Sequence, residues 1–154
     1  MNRDQYPDDT ALALKLWVVL SRAQAAVSRH AEADMARHGL SPGEFGILEA
    51  LYHKGPMLLG VVQRKILVSS GGVTYLVNRL VKKGLVERRD CEHDRRASYA
   101  ALTPAGDALI AGIFPEHAAA IEHAVDGLTK REKQAAVTLL RKLGLSAAAS
   151  LHDA

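Results

Sequence analysis

Residues 69–83, with the sequence SSGGVTYLVNRLVKK, carry the pattern that decides the predicted fold. Their apolar side chains recur at positions i, i+3, i+4, i+7 and i+8, which places one apolar stripe along a helix. The residues of this stripe are Val73, Leu76, Val77, Leu80 and Val81. The opposite face begins with small hydrogen-bonding residues and ends with cations, and Gly84 follows as a helix-ending residue. The stretch therefore predicts an amphipathic helix with a polar, then cationic, outer face.

Two shorter helices are predicted before this one. Ser41 can cap the first, Pro42 suits its first position, and Glu44 can reach back to complete a capping box. This helix ends before Gly55, and residues 59–67 predict a short helix that leads into the amphipathic one. The order indicates a helix-turn-helix.

A β-hairpin is predicted after the amphipathic helix. Residues 85–89 and 98–102 have the pattern of strands, and residues 90–96 that of a polar, basic turn. Helix, short turn, helix and basic-tipped hairpin follow the order of a winged helix-turn-helix, which we place at about residues 41–103. We expect a mainly α fold with a small β-hairpin wing.

A long helix is predicted at about residues 10–38, ahead of the winged helix. Its apolar residues recur every three or four positions and form one stripe along its length. A domain of this size cannot cover such a stripe alone, so we expect half of it to pack against a second subunit. The sequence therefore predicts a homodimer.

Two further helices are predicted at about residues 104–144, with caps at Thr103 and Thr129 and an end at Gly144. Residues 146–154 are expected to form a mobile tail. Together with the first helix, these two form a helical dimerisation region around the winged helix. All of this fits one domain of residues 1–154.

Composition and charge narrow the class of protein. The 154 residues are 48% hydrophobic and 24% charged, which is typical of a globular protein. Residues 63–96 carry nine Lys or Arg and four acidic residues, a local net charge of +5 in a chain of net charge +3. Such a basic block fits a surface that faces phosphates. The longest apolar run, residues 16–20, is too short to cross a membrane, and residues 1–10 lack the apolar core of a signal peptide, so we expect a cytoplasmic protein.

The start of the amphipathic helix has features that suit contact with DNA. A recognition helix reaches base edges with its N-terminal residues, and glycine there allows close approach of the backbone. Glycine costs about 1 kcal/mol in a helix relative to alanine, so a purely structural helix would not favour it. Relief of a crowded helix crossing is the alternative explanation. In the hairpin, Asp94 can brace an arginine that enters a narrow minor groove. The candidate DNA-binding residues are Ser70, Gly71, Thr74, Tyr75, Asn78, Arg79, Lys82, Asp94, Arg95 and Arg96.

The run SSGGVTYLVNRLVKKGLVERRDCEHDRRASYAALTPAG resembles the core of the MarR family of winged-helix repressors. It has the family's Gly-Leu-Val start of the wing, its Asp-x-Arg wing motif at Asp94 and Arg96, and its Leu-Thr-x-x-Gly exit. The resemblance implies a homodimer held by the first, fifth and sixth helices, which binds an inverted repeat in double-stranded DNA. By position it adds Ser69 to the DNA contacts. Tyr75 stands where many members carry arginine, so base preference does not carry over.

The resemblance also implies a regulatory ligand. Family members typically release DNA on binding small aromatic or phenolic compounds, in a cleft between the dimerisation helices and the DNA-binding lobe. The stretches SSGGVTYLV and EFGIL are similar to a branch that responds to quinones and phenols, and Trp17 replaces the cysteine of the peroxide-sensing branch. The candidate ligand-binding residues are Trp17, Phe45, Tyr52, Phe114 and His117. Ordinary core packing is the alternative for each.

Two other kinds of sensing stay open. Cys91, the single cysteine, lies in the predicted wing among cationic residues that favour a reactive thiolate, so it is a candidate for redox or electrophile sensing. An incidental surface cysteine is the alternative. The seven histidines contain no His-Glu-x-x-His or Glu-x-x-His motif, so no metal site and no cofactor are assigned. A zinc-responsive regulator could still assemble ligands across helices.

Enzymatic function is disfavoured. The sequence contains no phosphate-binding glycine loop, no nucleophile elbow and no acid pair at a catalytic spacing, so we assign no catalytic residues. A winged helix used only for protein interaction has no need of paired arginines at its tip. The sequence therefore favours a DNA-binding repressor over both alternatives.

Overall fold

Helices and a small sheet follow one another through residues 6–66 and 70–151, which the computed structural model describes. The elements are α1 Asp8–Arg37, α2 Pro42–Lys54, β1 Met57–Leu58, α3 Leu59–Ile66, α4 Ser70–Lys82, β2 Val86–Cys91, β3 Asp94–Leu102, α5 Pro104–Ala124 and α6 Lys130–Ser150. The mainly helical fold with a hairpin wing is confirmed.

Side-chain caps begin three of the helices as the sequence predicts. The hydroxyl of Ser41 accepts the Glu44 N–H at 3.2 Å, and that of Thr103 accepts the Gly106 N–H at 3.0 Å. Thr129 and Glu132 form a complete capping box. The capping box predicted for Ser41 and Glu44 is described only in its first half, because the Glu44 carboxylate bonds the Ser41 side chain and contacts Lys83 and Arg79.

The sheet has the order β1-β3-β2, with both pairs antiparallel. The predicted turn of residues 90–96 is too long. The strands pair Asp90 with Ser98 and, after a register shift, Cys91 with Asp94, so only Glu92 and His93 connect them. Strand β1 was not predicted, because two residues are too few to show an alternating pattern.

The core lies where α2, α4 and the sheet pack against α5. Phe45, Ile47 and Leu48 of α2 are fully buried and meet the inner faces of α4 and α5. Each such side chain contributes about 1.5–3 kcal/mol on burial. The other core residues on these elements include Val73, Val77, Leu80, Val86, Ala100, Ile110 and Ile113. Of the apolar stripe predicted for α4, Val73, Val77 and Leu80 are buried and Leu76 is half-buried, whereas Val81 is exposed.

The backbone requires glycine at two positions that flank the β-hairpin, one before β2 and one after β3. Gly84 has φ +72° and ends α4, as expected. At Gly106, the glycine of the Leu-Thr-x-x-Gly exit, a Cβ would lie 1.9 Å from the carbonyl oxygen of Leu85. The start of α5 therefore packs on the hairpin more closely than any side chain allows.

The last helix differs from its prediction. It continues past Gly144, where it was predicted to end, to Ser150, so residues 146–150 are helical. No residue of α6 is buried, and Val137, Leu140 and Leu143 are exposed. The apolar side chains of α6 have no cover within the single chain.

Helix α1 leaves its N-terminal apolar side chains uncovered as well. Leu12, Leu16 and Trp17 are exposed, and Trp17 keeps 67% of its surface. By length and composition α1 is the one helix of the described chain that could also cross a membrane, and none of its 18-residue apolar window is buried. The sequence analysis considered only the uninterrupted apolar run of residues 16–20 and so underestimated how apolar the whole helix is.

Candidate nucleic-acid interface

The outer face of α4 carries most of the predicted DNA contacts. Thr74, Tyr75, Asn78, Arg79 and Lys82 are all exposed on it. Ser69 lies outside the described residues, and for Ser70 and Gly71 the structure describes the backbone, which starts α4, and not the side chains.

A buried carboxylate holds the cationic end of α4. Glu44 of α2 is 1% exposed, and its two carboxylate oxygens lie 2.5 Å from Lys83 Nζ and 3.3 Å from an Arg79 guanidinium nitrogen. Lys83 also donates to the Gly39 carbonyl at 3.1 Å. Arg79 in turn donates to the Tyr75 hydroxyl at 3.2 Å. The positions of Arg79 and Tyr75 on the outer face are thus tied to α2.

The charges around Glu44 outweigh its burial. Burial alone would raise the pKa of this carboxyl, but the hydrogen bond and charge of Lys83, the bond to Ser41 and the charge of Arg79 hold it below its ordinary value of 4.5. Glu44 is therefore ionised at neutral pH and balances two cations that would otherwise repel each other under the recognition helix.

A second link joins α4 to the wing. Arg88 of β2 donates to the side-chain oxygen of Asn78 at 2.8 Å. With its oxygen engaged, the Asn78 amide is left to offer its NH2 group, a hydrogen-bond donor. Arg88 thus sets which atoms a predicted DNA contact presents.

The other predicted DNA contacts and Cys91 belong to the two strands of the wing. Asp94 opens β3 and is exposed, whereas the side chains of Arg95 and Arg96 lie outside the description, although their backbone belongs to β3. Cys91 is half-buried at the end of β2. Its predicted cationic neighbours are engaged elsewhere, since Arg88 bonds Asn78 and Arg89 bonds Glu87 at 2.6 Å.

Four of the five predicted ligand residues meet between α2 and α5. The Phe45 ring lies 4.3 Å from that of His117, and Phe114 lies 6.4 Å from both Tyr52 and His117. Trp17 lies on the exposed half of α1 and is not part of this ring cluster. We define the ring cluster as Phe45, Tyr52, Phe114 and His117; none of these residues lines the surface pockets beside α2 and α3, beside the wing, or between α1 and α5.

A buried acid orients the histidine of the ring cluster. Asp34 of α1 contacts Arg37 and lies 3.1 Å from His117 Nδ1. Burial alone would raise the pKa of Asp34, but its hydrogen bonds and the charges of Arg37 and His117 hold it below the ordinary value of 3.8. The ionised Asp34 can therefore accept a hydrogen bond from His117 Nδ1–H, which fixes the orientation of the imidazole ring.

Comparison with known proteins decides the family. The model of the MarR family matches residues 38–97. Over 138 residues the chain is 41% identical to the HTH-type transcriptional regulator MhqR of Bacillus subtilis, covering 90% of this chain and 95% of that protein. The chain belongs to the MarR family. It is a DNA-binding transcriptional regulator, and its relatives are regulators and not enzymes.

Solved MarR-family structures have the same fold. Sco3205 of Streptomyces coelicolor, crystallised in complex with DNA, superposes with a TM-score of 0.80 at 22% identity, over 94% of this chain and 91% of that one. BpsR of Bordetella bronchiseptica, whose DNA binding is regulated by 6-hydroxynicotinic acid, superposes with a TM-score of 0.76 at 26% identity, over 84% and 92%.

The sequence analysis missed the charged residues that position the predicted site residues. Glu44 was assigned to a cap, Arg88 to a charged strand, and Asp34 and Lys83 to no role. An acidic residue directly before an apolar run, as at Glu44 before Phe45, is the one signal in the sequence of a buried acid. It does not identify the partner.

Proposed function

We propose that this chain is a homodimeric repressor which binds an inverted-repeat operator and releases it on binding a small aromatic compound. The observation that carries the DNA-binding role is the outer face of α4, where Tyr75 and Arg79 are held by the buried Glu44 beside the wing. Such a face can be presented to a major groove without reorganisation, because its side chains already have their positions.

The homodimer is supported by the uncovered apolar faces of α1 and α6. Leu12 and Trp17 on α1, and Val137 and Leu145 on α6, each keep about two thirds of their surface. Exposed apolar side chains on this scale mark an interface, and a second copy would cover them by symmetry. We place the protein in the cytoplasm, where its DNA is. Light scattering that finds a stable single-chain mass at micromolar concentration contradicts the dimer and the two-half-site operator.

A small aromatic effector is supported by the ring cluster. It lies between α2, which supports the recognition helix, and α5, and Tyr52 gives it a surface edge. When Nδ1 of a neutral His117 donates to Asp34, Nε2 is the ring's hydrogen-bond acceptor, which suits the hydroxyl of a phenol. The relative BpsR is regulated by a hydroxylated aromatic acid. We therefore propose a phenolic or quinone-like effector.

The DNA-binding role is tested by measuring the affinity of the protein for a DNA duplex taken from the promoter next to its own gene. Arg79→Ala should weaken binding about tenfold, in the range of about 1–3 kcal/mol for such contacts. Arg131→Ala removes the same charge from α6, far from the proposed interface, and is the matched control. Equal affinities of the two variants in fluorescence anisotropy would place the interface elsewhere. Binding should also fall steeply with salt, because phosphate contacts release counterions.

The effector route has a rival in Cys91. Quinones attack thiolates, so the same compounds could act by modifying the wing. To separate the two routes, catechol or hydroquinone is added to the DNA complexes of the Cys91→Ser and Phe114→Ala variants, and release of DNA is measured. If the ring cluster binds the effector, Cys91→Ser still releases DNA and Phe114→Ala does not. The opposite result identifies Cys91 as the sensor.

A further inference from the structure

A polar cluster lies where the end of α1 meets α5, outside the ring cluster and the DNA face. Asp34 and His38 are four residues apart at the end of α1, and Glu116 comes from α5. One ligand-type atom from each of the three lies within 4.8 Å of the others. Imidazole and carboxylate groups are the ligands that divalent transition-metal ions take from proteins.

The spacing of these atoms fits a tetrahedral ion. With bonds of about 2.0–2.2 Å, the ligand atoms of tetrahedral Zn2+ lie about 3.3–3.6 Å apart. His38 Nε2 is 3.4 Å from Glu116 Oε2 and 3.8 Å from Asp34 Oδ1. These two distances are within a few tenths of an ångström of the tetrahedral spacing, and the carboxylate oxygens of Asp34 and Glu116 lie within 4.8 Å of each other.

His38 supplies an independent observation. Its Nε2 is a buried polar atom of the described chain that has no hydrogen-bond partner, although two carboxylates are near. A buried polar atom without a partner costs about 1–3 kcal/mol, so such atoms are rare. A metal ion between the three side chains gives this nitrogen the partner it lacks.

Two neighbours of Asp34 bear on its role as a metal ligand: His117 supports it, and the charge of Arg37 competes with a metal ion. His117 Nδ1 holds Asp34 Oδ2 at 3.1 Å, which orients the other oxygen toward His38 and is the kind of support that metal-binding carboxylates have. Arg37 contacts Oδ1 itself. Its side chain is 65% exposed and can move into solvent, so an ion would replace its charge at Asp34.

We propose that Asp34, His38 and Glu116 bind a divalent transition-metal ion, with solvent in the fourth position. Glu116, 63% exposed, gives the ion its path from solvent. The site ties the end of α1 to α5, one residue before Gly39, whose carbonyl oxygen accepts from Lys83. It therefore lies at the joint between the dimerisation helices and the DNA-binding lobe.

The first test is metal binding by the full chain after chelator treatment, with Co2+ and Zn2+ as probes. We expect about one Co2+ per chain, with the strong visible absorption of a tetrahedral site. Glu116→Gln should weaken Zn2+ at least tenfold, and His38→Gln should abolish the Co2+ band. The double variant His30→Gln, His123→Gln is the matched control, because these rings contact each other on the same two helices without joining the cluster.

Two results overturn the site. In one, Zn2+ affinity is unchanged in both His38→Gln and Glu116→Gln. In the other, it is lost in the His30 and His123 control, which means an adventitious ion only. Circular dichroism checks that each variant is folded. If the His38→Gln variant does not fold, the exposed Glu116 is the test residue.

The second test uses the competing arginine. Arg37→Ala should tighten Zn2+ binding about tenfold, because it removes a cation from a ligand atom. Arg29→Ala removes the same charge eight residues earlier in α1, where the Arg29 side chain donates to the backbone oxygen of Ala25, and should leave Zn2+ affinity unchanged. Weaker or equal binding in Arg37→Ala contradicts the site. If the chelator-treated protein binds the operator but not Zn2+, the metal site is wrong and the proposed function stands. If it binds Zn2+ but not the operator, the proposed function is wrong and the metal site stands.

Discussion

Lys83 Nζ lies 2.5 Å from a carboxylate oxygen of Glu44, a residue 39 positions earlier in the chain and almost fully buried. This ion pair joins the start of α2 to the residue that follows the recognition helix. The second carboxylate oxygen faces Arg79 of that helix at 3.3 Å. A single buried acid therefore sets the position of α4 against its scaffold.

Glu44→Gln should destabilise the fold by about 1–3 kcal/mol. Removing one partner of a buried pair costs about 3–5 kcal/mol, and we expect less because Lys83 and Arg79 are partly exposed and can be solvated. Urea unfolding measures the difference. Glu87→Gln, which breaks an exposed pair with Arg89, is the control and should leave the midpoint nearly unchanged. A loss no larger than in this control contradicts the structural role of Glu44.

The stability of the wild type should fall in acid because of Glu44. The pKa of this carboxyl in the folded protein is below its ordinary value of 4.5, so its contribution is complete above about pH 4.5 and is lost as pH falls through the lower folded value. Urea unfolding of wild type and Glu44→Gln from pH 6 to pH 3 tests this. The gap between the two should narrow as the pH falls. A gap that is constant over this range shows that Glu44 has no such shift.

Asn78→Ala and Arg88→Ala should each weaken operator binding several-fold, and the double variant should lose less than the two effects combined. The reason is that Arg88 orients the Asn78 amide, so removing either side chain disrupts the same contact. Anisotropy titrations of the four proteins form the cycle. Arg89→Ala, whose side chain bonds Glu87, is the control for loss of one wing charge. Fully additive effects would falsify the link between wing and recognition helix.

Gly106→Ala should be among the most destabilising single substitutions, at more than about 2 kcal/mol. Its Cβ would lie 1.9 Å from a backbone oxygen, which cannot move aside as a side chain can. The matched control is Gly112→Ala in the same helix, where nothing lies within 4 Å of the added Cβ. That change should stabilise by about 0.5–1 kcal/mol, since alanine favours helix. Thermal melting of both variants decides, and equal midpoints contradict the close packing.

The sequence by itself determined the elements that depend on neighbouring residues. The caps at Ser41, Thr103 and Thr129 involve atoms three residues away, and the stripe of α4 repeats within two turns. Such signals are local, so they predict helices well. They fail where the local signal is ambiguous, as at Gly144, which an exposed helix accommodates at the cost of about 1 kcal/mol.

Only the tertiary structure decided which polar groups meet. Asp34 and His117 are 83 residues apart, and Arg88 reaches Asn78 across two elements. These pairs depend on helix crossing and strand register, which no short pattern encodes. Strand β1 and the two-residue turn of the wing depend in the same way on pairing with β3. The outer face of α4 that we propose to meet DNA was thus predicted from the sequence, whereas the buried charges that position it became visible only once distant segments packed together.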